Sequence, residues 1–291
     1  MHRSYLYAPG SKQRILDKAL VAGADAIVCD LEDAVALPDK ASARAAVGAL
    51  VREHAEEAEC AVHVRVNRSG DGWSADDLAA VLHPGLEALR LPKCESAEPV
   101  RLLDVRITEL ERERGLPVGS VQLYPTIESA AGAVAARDLA RSSPRVAALV
   151  FGPSDFVADL GLMGSSQFEA TVLARSTLVL ESRAARIGRP VDGAFTDLSD
   201  SDGLRQLALR VRDLGFGGKS AIHPRQLPVL HEVFTPTADE VERAERIIDS
   251  LDERTATAVV DGSFVDPAIV TQAQAVLRLA ERTSRKATPR D

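Results

Sequence analysis

The segment AIVCDLED at residues 26–33 decides the fold, because it is a short apolar run that ends in acidic residues. Three later segments have the same design: VHVRVN at 62–67, YPTIE at 124–128 and ALVFGPSD at 148–155. In a barrel of parallel strands the C-terminal ends of all strands lie on one face, so we expect the charged residues that end these runs to meet there. Carboxylates beside an arginine are typical of a divalent-metal site for an anionic substrate.

Short apolar runs alternate with amphipathic stretches along the chain, a rhythm typical of repeated βα units and a parallel sheet. We predict strands near residues 4–7, 26–30, 61–66, 88–91, 121–127, 147–151, 190–192 and 218–222. We predict helices near residues 11–22, 40–53, 74–82, 97–114, 130–140, 168–187, 201–214 and 238–250. Eight of each favour an α/β fold of the TIM type, a (β/α)8 barrel. The alternative is an open doubly wound sheet, but no Gly-x-Gly-x-x-Gly turn follows the first strand, which disfavours its nucleotide-binding version.

The chain has 291 residues, more than the roughly 250 of a typical barrel. We predict a barrel catalytic domain over residues 1–236 and a small C-terminal lid or oligomerisation segment over residues 237–291. This segment begins with a charged helix. Asp261-Gly262 between two short β-prone pairs is then a hairpin signal, and a last helix follows it.

Composition and charge exclude several classes of partner. The 35 Lys and Arg residues against 43 Asp and Glu residues give a formal net charge of −8, which disfavours nucleic acid or an anionic membrane. No apolar run approaches the roughly 20 residues of a membrane span, and the first residues lack a signal peptide, so we expect a cytoplasmic protein. Cys29, Cys60 and Cys94 lack Cys-x-x-Cys spacing, which indicates neither a disulfide framework nor a zinc site. Cys94 beside Lys93 stays open as a reactive thiol.

Glu128 and Asp155 end two successive predicted strands, about one βα unit apart. The pair suits Mg²⁺, which commonly takes one or two protein carboxylates and leaves its other positions to water and substrate oxygens; Mn²⁺ is a reasonable substitute. The sharp turn Gly152-Pro153-Ser154 favours this interpretation because it lets the backbone bend around a ligand. The alternative is that both carboxylates cap the helices that follow them.

Glu32 and Asp33 follow Asp30, so three acids crowd one strand end. Their mutual repulsion costs free energy unless cations or hydrogen-bond donors offset it, and a nearby metal would do so. The alternatives are that they cap the next helix or pair with Lys40 or Arg44.

Three basic side chains are candidates for substrate binding: Arg65, Lys93 and His223. Alternation along residues 62–66 places Arg65 opposite the valines, so it points into the barrel and needs an anion there, either a ligand carboxylate or a structural ion pair. Lys93 follows Leu91-Pro92, and its alternative role is the Schiff-base lysine of a metal-free aldolase. His223 ends the last strand and is a candidate acid, base or cofactor contact, with a structural role as the alternative.

Together these segments resemble the citrate lyase beta subunit and HpcH/HpaI aldolase family, in the branch that also holds malyl-CoA and citramalyl-CoA lyases. The resemblance runs over nearly the whole chain. The matching segments are RS at 3–4 with PG at 9–10, DLEDAV at 30–35, RVN at 65–67, LPK at 91–93 with ES at 95–96, IES at 127–129, Gly152 with Asp155, GFGGK at 215–219 and IHP at 222–224. The family assignment is therefore specific, whereas the substrate within the family is not.

The resemblance implies a TIM-type barrel, usually a homotrimer, that uses Mg²⁺ to form or break a carbon–carbon bond between an acyl thioester enolate and a 2-oxo acid. It implies that Glu128 and Asp155 are the metal ligands, that Arg65 clamps the oxo acid carboxylate, and that Glu32 and Asp33 hold water at the metal. We expect a lyase for a malyl-, citramalyl- or citryl-like CoA thioester. The alternatives are a malyl-CoA thioesterase, and a citrate lyase beta subunit that acts only in a complex with an acyl carrier protein.

The C-terminal segment carries one more implied residue. CoA lyases of the family have a Met-Ile/Val-Asp motif whose aspartate, on a lid from a neighbouring subunit, acts as acid or base; the matching stretch here is Phe264-Val265-Asp266. From the residues alone, Asp266 before Pro267 has the alternative role of a helix N-cap. Two positions depart from the family pattern. Residues 255–258 (TATA) stand where relatives usually have glycines, and Ser154 stands where they often have an acid.

Overall fold

The computed structural model describes residues 2–54, 58–70, 72–163, 167–250 and 257–287. The chain divides into two units, Met1–Leu230 and His231–Asp291. The boundary that we predict from the sequence, between residues 236 and 237, stays a prediction. Thr255 and Ala256, two of the residues that stand where relatives usually have glycines, lie outside the described residues.

Eight parallel strands of the first unit close into a barrel, as the sequence predicts, rather than an open sheet. The strands in chain order are β1 (Ser4–Pro9), β2 (Ala26–Asp30), β3 (Ala61–Arg65), β4 (Arg68–Ser69), β5 (Gly72–Trp73), β6 (Leu86–Leu91), β7 (Gln122–Ile127), β8 (Val150–Phe151), β9 (Val191–Asp192), β10 (Gly218–Ala221), β11 (Ala258–Val260) and β12 (Ser263–Val265). The order around the barrel is β1-β10-β9-β8-β7-β6-β3-β2. The short antiparallel pairs β4-β5 and β11-β12 are separate sheets.

The helices largely follow the predicted positions. They are α1 (Gln13–Leu20), α2 (Lys40–His54), α3 (Ala75–Val81), α4 (Ala97–Glu113), α5 (Ala130–Val134), α6 (Ala136–Ala140), α7 (Pro153–Asp159), α8 (Gln167–Ala185), α9 (Ser201–Leu214), α10 (Leu227–Phe234), α11 (Ala238–Asp249) and α12 (Pro267–Ala287). The helix predicted near 238–250 is α11 of the second unit, so counting it as the eighth barrel helix was wrong. The helix that follows β10 is α10, which the sequence pattern did not predict.

Prolines explain why two helices, α7 and α10, escaped prediction. Pro153 is the first residue of α7, and Pro228 lies in the first turn of α10. Proline is tolerated there because the first N–H groups of a helix have no intrahelical partner. A proline in this position marks a helix start, although we interpreted the one at Pro153 as part of a sharp turn.

Alternation along the strands produces layers inside the barrel. Tyr5, Val28, Tyr124 and Val150 pack together in a buried interior cluster. Two residues further along β7, towards its C-terminal end, the same face carries Thr126, which lines a cavity. The apolar cluster therefore lies beneath a polar layer at the end of the barrel where the strands run out.

The second unit contains α11, the β11-β12 hairpin and α12. Asp261 and Gly262 connect the two strands with φ values of 49° and 73°, and a type I′ turn requires two such positive angles. Val265 is buried with Ile247 and Ala273 between the helices. The predicted hairpin is confirmed. Within the described residues, no helix combines the length and the hydrophobicity that crossing a membrane requires.

Candidate active site

A cavity of about 180 Å³ lies at the C-terminal ends of the barrel strands. Its charged and polar side chains are Tyr7, Arg65, Thr126, Glu128, Ser154, Asp155 and Ser220. The structure therefore brings together three residues that the sequence singled out from separate strands: Arg65, Glu128 and Asp155. TIM-barrel enzymes place their active sites at this face, where the loops after the strands meet.

Glu128 follows the last residue of β7 and is held from the neighbouring strand end. Its Oε1 accepts a hydrogen bond from the backbone N–H of Lys93 at 2.6 Å. Lys93 has a φ of 54°, an uncommon left-handed conformation for a residue with a side chain. Glu128 therefore does not cap the next helix, which was the alternative. The N-cap of α5 is Ser129, whose hydroxyl accepts a hydrogen bond from the Gly132 N–H.

The carboxyl group of Glu128 lies in surroundings that disfavour its charged form. Its pKa is raised to about 7, chiefly by burial; the nearby acids Glu32 and Asp155 act in the same direction, and the hydrogen bond from Lys93 and the charge of Arg65 act against them. Among the residues that the structure describes, no basic side chain lies within ion-pair distance of Glu128. A buried carboxylate in this situation is stabilised by a cation.

Asp155 lies in the first turn of α7, which begins directly after β8. Gly152 precedes this helix, and a Cβ at that position would lie 2.7 Å from the Glu128 Cβ and 2.8 Å from Glu128 Oε2. Only glycine therefore allows the two carboxylate-bearing segments to approach each other this closely. The positive end of the helix dipole also stabilises a carboxylate in the first turn.

A buried ion cluster supports the segment that carries Asp155. Lys219 Nζ donates to the Gly193 carbonyl at 2.6 Å and also contacts Asp192, whose other oxygen accepts from Arg175 at 3.0 Å. Gly193 packs so closely on Pro153 that a Cβ would overlap the proline ring. Lys219 belongs to the GFGGK motif, and no local sequence signal indicates this supporting contact.

Arg65 points into the barrel as predicted, but its acceptors are protein carboxylates. Its Nε and Nη2 donate to the two oxygens of Asp30 at 2.7 and 2.6 Å. Its Nη1 lies 2.9 Å from Glu32 Oε2 and donates to Asp33 Oδ2 at 3.2 Å. Burial lowers the pKa of Arg65, but the hydrogen bonds and charge of Asp30 outweigh burial and raise it. The structural ion pair is thus present, and Nη1 faces two further carboxylates, the buried Glu32 and the exposed Asp33.

Glu32 is buried beside two cations. Lys93 Nζ lies 3.1 Å from Glu32 Oε1, and Arg65 Nη1 approaches the other oxygen, yet neither contact has hydrogen-bond angles. Burial raises the pKa of Glu32 against the charge of Arg65. Lys40, one of the alternative partners that the sequence offers for the carboxylates of Glu32 and Asp33, instead donates to the backbone carbonyls of Leu31 and Glu32, at 2.7 and 2.6 Å.

The reactive-residue alternatives receive no support. The ion pairs of Lys93 with Glu32 and Asp33 raise the pKa of its ammonium, whereas a Schiff-base lysine needs a lowered pKa. Cys94 is buried, and burial raises the pKa of its thiol. A reactive thiolate requires the opposite environment.

His223 and Asp266 both have capping contacts. His223 Nδ1 accepts from the Arg225 N–H at 3.1 Å, as the N-cap of the short 3₁₀ helix Pro224–Gln226. Asp266 Oδ1 accepts from the N–H groups of Ala268 and Ile269, at 2.9 and 3.0 Å, at the start of α12. These are the structural roles that the sequence left open as alternatives. The predicted ligand and proton-transfer roles of the two residues stay predictions.

The donor set at the cavity fits a hard divalent cation such as Mg²⁺. Glu128 and Asp155 offer carboxylate oxygens from two neighbouring strand ends, and the charge of Glu128 has no basic partner among the described side chains. The two oxygens of Glu32 face Lys93 at 3.1 Å and Arg65 at 2.9 Å, so this carboxylate is already paired with cations. Oxygen-only ligands with few carboxylates, and room for further oxygens, are the preferred environment of Mg²⁺.

An eight-stranded parallel barrel with carboxylates and a guanidinium at its C-terminal end defines a TIM-barrel enzyme for anionic substrates. The family model for HpcH/HpaI aldolase/citrate lyase matches residues 3–224, and the chain belongs to this family. It is therefore an enzyme of a carbon–carbon lyase family that acts on CoA thioesters and oxo acids.

Three similar proteins illustrate the range of the family. The citrate lyase subunit beta of Haemophilus influenzae is 36% identical over 285 residues, covering 97% of both chains. The (3S)-malyl-CoA thioesterase of Cereibacter sphaeroides is 36% identical over 289 residues, covering 96% of this chain and 94% of that protein. The crystal structure of CitE from Mycobacterium tuberculosis in complex with magnesium, acetoacetate and coenzyme A has a TM-score of 0.76 and 28% identity, covering 96% of this chain and 98% of that chain.

Proposed function

We propose that the protein is a Mg²⁺-dependent lyase that cleaves or forms a 3-hydroxyacyl-CoA thioester of the malyl, citramalyl or citryl type, with a 2-oxo acid and an acyl thioester as the other reactants. The observation that carries this proposal is the meeting of Glu128 and Asp155 in one cavity, with no basic side chain within ion-pair distance of Glu128 among the described residues. The similar CitE structure, which contains magnesium, acetoacetate and coenzyme A, supports it.

Glu128 and Asp155 would hold the metal, with Mn²⁺ as a substitute. When bound, the metal supplies Lewis-acid stabilisation of the charge that develops on the substrate oxygens. Arg65 orients the oxo acid carboxylate through Nη1, while Asp30 keeps Nε and Nη2 in place. The ammonium of Lys93 adds a second positive charge at the rim, and His223 is a further candidate contact of the substrate.

Proton transfer is assigned in this proposal to the carboxylate of Asp266 of a neighbouring subunit, as the family resemblance implies, with Glu32 and Asp33 as the acids that hold water at the metal. Asp266→Asn tests the assignment, because asparagine retains most of the N-capping ability but cannot transfer a proton. We expect a stable variant whose turnover falls by roughly 10²- to 10⁴-fold. Normal turnover would restrict Asp266 to its cap on α12.

The function is tested by incubating the purified protein and Mg²⁺ with malyl-CoA, citramalyl-CoA and citryl thioesters while free thiol and oxo acid are both measured. Release of an oxo acid without free thiol is expected for the lyase, because carbon–carbon cleavage leaves the thioester bond intact in the acyl thioester product. Asp155→Ala should abolish turnover and Mg²⁺ binding measured by calorimetry. The matched control is Asp76→Ala, which removes an exposed acid from the first turn of α3. Full turnover in Asp155→Ala contradicts the metal assignment.

The same assay separates the alternatives. Thiol release without an oxo acid identifies a thioesterase, the activity named for the relative from Cereibacter sphaeroides. Activity only on a carrier-protein thioester identifies a subunit that works within a complex, as the resemblance to citrate lyase subunit beta allows. The homotrimer, the cytoplasmic location and the absence of nucleic-acid or membrane partners are also proposals that follow from the sequence.

A further inference from the structure

Lys40, at the start of α2, is a cation whose hydrogen-bond acceptors are uncharged oxygens. Its Nζ donates to the backbone carbonyls of Leu31 and Glu32, at 2.7 and 2.6 Å, and to Asn67 Oδ1 at 2.6 Å. An ammonium group has three hydrogens and no lone pair, so these three bonds use all of its donors. The ammonium therefore fixes the positions of three oxygens and does not neutralise an acid through these bonds.

The acceptors of Lys40 lie on two segments, one after β2 and one after β3. These strands pair in parallel up to Asp30 and Arg65. The backbone N–H of Leu31 then donates to the Arg65 carbonyl at 2.9 Å, and Lys40 extends the connection to Asn67. One ammonium group thus sets the distance between the two strand ends that carry the acids and the guanidinium of the site.

Asn67 is also held by contacts other than the one with Lys40. Its backbone N–H and its Nδ2 both donate to Asp77 Oδ2, at 2.8 and 2.7 Å, and its carbonyl accepts from the Ser74 N–H at 2.9 Å. Its Oδ1 accepts from Lys40, so all four of its polar groups have partners. Because the amide has to present its oxygen to an ammonium and its nitrogen to a carboxylate, only one orientation of the side chain satisfies both neighbours.

Asp77 anchors Asn67 to the same helix that carries Lys40. It is fully buried, at 0% exposure, in the first turn of α3. Its Oδ1 accepts from Arg44 Nε at 2.7 Å. Arg44 follows Lys40 by four residues on α2, and residues four apart lie on one face of a helix. The helix α2 therefore holds Asn67 at two points, directly through Lys40 and indirectly through Arg44 and Asp77.

The quantity that this arrangement determines is the separation of Glu32 from Arg65. Glu32 lies on the segment after β2 and Arg65 ends β3, and the distance from Glu32 Oε2 to Arg65 Nη1 is 2.9 Å. Asp30 occupies the other two nitrogens of Arg65. A shift of either segment therefore changes what Nη1 faces. A displacement of about 1 Å in a positioning group can lower a rate by roughly 10²-fold.

We propose that Lys40 is a positioning residue that fixes Glu32 and Arg65 relative to each other at the candidate active site. It acts through the backbone of Glu32 and through Asn67, which Asp77 keeps in place. The inference rests on the proposed function in that it takes Arg65 as the contact of the oxo acid carboxylate. The role depends on geometry as well as charge, so arginine does not replace Lys40: a planar guanidinium cannot bring three oxygens around one nitrogen.

The first test uses the full-length protein without metal or ligand. In the ¹⁵N-labelled protein, the Nε–H resonance of Arg65 reports on the surroundings of its guanidinium, and Arg65→Lys identifies this resonance by its absence. We expect Lys40→Met and Lys40→Arg each to move the resonance by more than its linewidth. The control Arg114→Met removes a cation that also donates to two backbone carbonyls, at the C-terminal end of α3, and should leave the resonance in place.

The second test compares two affinities by calorimetry: that for Mg²⁺ alone, and that for pyruvate or oxaloacetate at saturating Mg²⁺. Glu128 and Asp155 lie on other strand ends, so Lys40→Met should keep the Mg²⁺ affinity within about threefold of the wild type and weaken oxo acid binding by about tenfold or more. Lys40→Arg should weaken oxo acid binding to a similar extent, because retained charge does not restore the geometry. Arg114→Met should keep both affinities.

Three results overturn the positioning role. The first is an unmoved Arg65 resonance in Lys40→Arg and in Asn67→Ala, which removes only one acceptor of the ammonium; it decides the question even if Lys40→Met does not fold or no oxo acid binds. The second is full oxo acid affinity in Lys40→Arg, which would make the role one of charge alone. The third is an equal loss of Mg²⁺ and oxo acid affinity, which would indicate general loosening of the barrel.

The outcome is separable from that of the proposed function. A moved resonance and weakened oxo acid binding in a protein that cleaves no thioester contradict the lyase proposal alone. Thioester cleavage with wild-type kinetics in Lys40→Met contradicts the positioning role alone.

Discussion

Glu128 and Glu111 are both buried glutamates, and their surroundings have opposite effects. The Glu111 carboxylate accepts from Arg145 at 2.6 and 2.8 Å and from the Gly119 N–H at 2.9 Å. Burial by itself raises the pKa of Glu111, but these bonds outweigh burial and lower it. Glu128 has a single backbone donor, and its pKa is raised to about 7. Glu111 therefore stabilises the fold, whereas the buried carboxylate of Glu128 lowers the free energy of unfolding when it is charged, an effect that a bound cation would offset.

Replacing Glu128 by glutamine should therefore stabilise the metal-free protein while removing metal binding. The unfolded chain releases this proton near 4.5, whereas the folded protein retains it to about pH 7, so ionisation of Glu128 reduces the free energy of unfolding as the pH rises through this interval. At pH 8 in EDTA we expect Glu128→Gln to raise the free energy of unfolding by about 2 kcal/mol. Urea titration measures the change, and calorimetry measures the loss of Mg²⁺ binding.

Glu111→Gln is the matched control, since it removes a buried carboxylate that is fully paired. We expect this variant to be less stable than the wild type at pH 8 and to retain Mg²⁺ binding. The effect of Glu128→Gln should be small at pH 5, where the folded protein already holds the proton. A Glu128→Gln variant that is destabilised at pH 8 would show that the charge of Glu128 is compensated.

At the scale of elements, strand ends position the site and the turns after them set its spacing. The close approach between Gly152, at the end of β8, and Glu128, at the end of β7, is the sharpest example. Gly152→Ala should displace the Glu128 carboxylate and weaken Mg²⁺ binding by about tenfold or more, because a Cβ would overlap two atoms of Glu128. Calorimetry measures the affinity, and circular dichroism checks that the barrel is retained.

Gly72→Ala is the control for this experiment. Gly72 lies in β5 and has no positive φ, and a Cβ added to it would extend into open space, with no side chain or backbone to overlap. The variant should bind Mg²⁺ as the wild type does. Equal affinities in Gly152→Ala and Gly72→Ala would mean that the β8 turn adapts and does not determine the metal geometry.

Sequence reasoning located the strands and their charged ends because both leave local signals. The run AIVCD at 26–30 becomes a strand that is buried on both faces, and the acids after it lie at the expected end of the barrel. The bidentate contact of Asp30 with Arg65 left no such signal, because it joins residues 35 positions apart and depends on the pairing of β2 with β3. Asp30 was therefore treated only as one of three crowded acids.

At the scale of the whole molecule, the contributions of the two ends of the barrel to the free energy of unfolding change with pH in opposite directions. At the C-terminal end, the raised pKa of Glu128 means that stability falls as the pH rises between about 4.5 and 7. At the N-terminal end, His63 is neutral in the folded protein because burial lowers its pKa to about 3. Burial raises the pKa of Glu87, but the hydrogen bonds from His2 and His63 outweigh burial and lower it.

The N-terminal network should make the protein sensitive to acid. Below its ordinary pKa of 6.5, His63 takes up a proton in the unfolded chain but stays neutral in the folded protein down to about pH 3. The unfolded state then binds more protons, so the free energy of unfolding falls as the pH decreases, by up to about 1 kcal/mol per pH unit from this group. Glu87 contributes with the same sign at lower pH, because its lowered pKa means that its stabilisation is lost when it is protonated.

His63→Gln isolates this contribution, since glutamine retains a hydrogen-bonding side chain but does not titrate. Urea titrations in EDTA at pH 6.5, 5.8 and 5.0 should show that, as the pH falls over this range, the free energy of unfolding of His63→Gln rises relative to that of the wild type by about 1 kcal/mol or more. The comparison is made within each protein across pH, so a constant destabilisation from the substitution does not affect it, and Glu128 contributes equally to both. Identical pH slopes would mean that His63 becomes protonated in the folded barrel, where its charge would add to that of the buried Arg90, whose Nε lies 3.3 Å from His63 Nδ1.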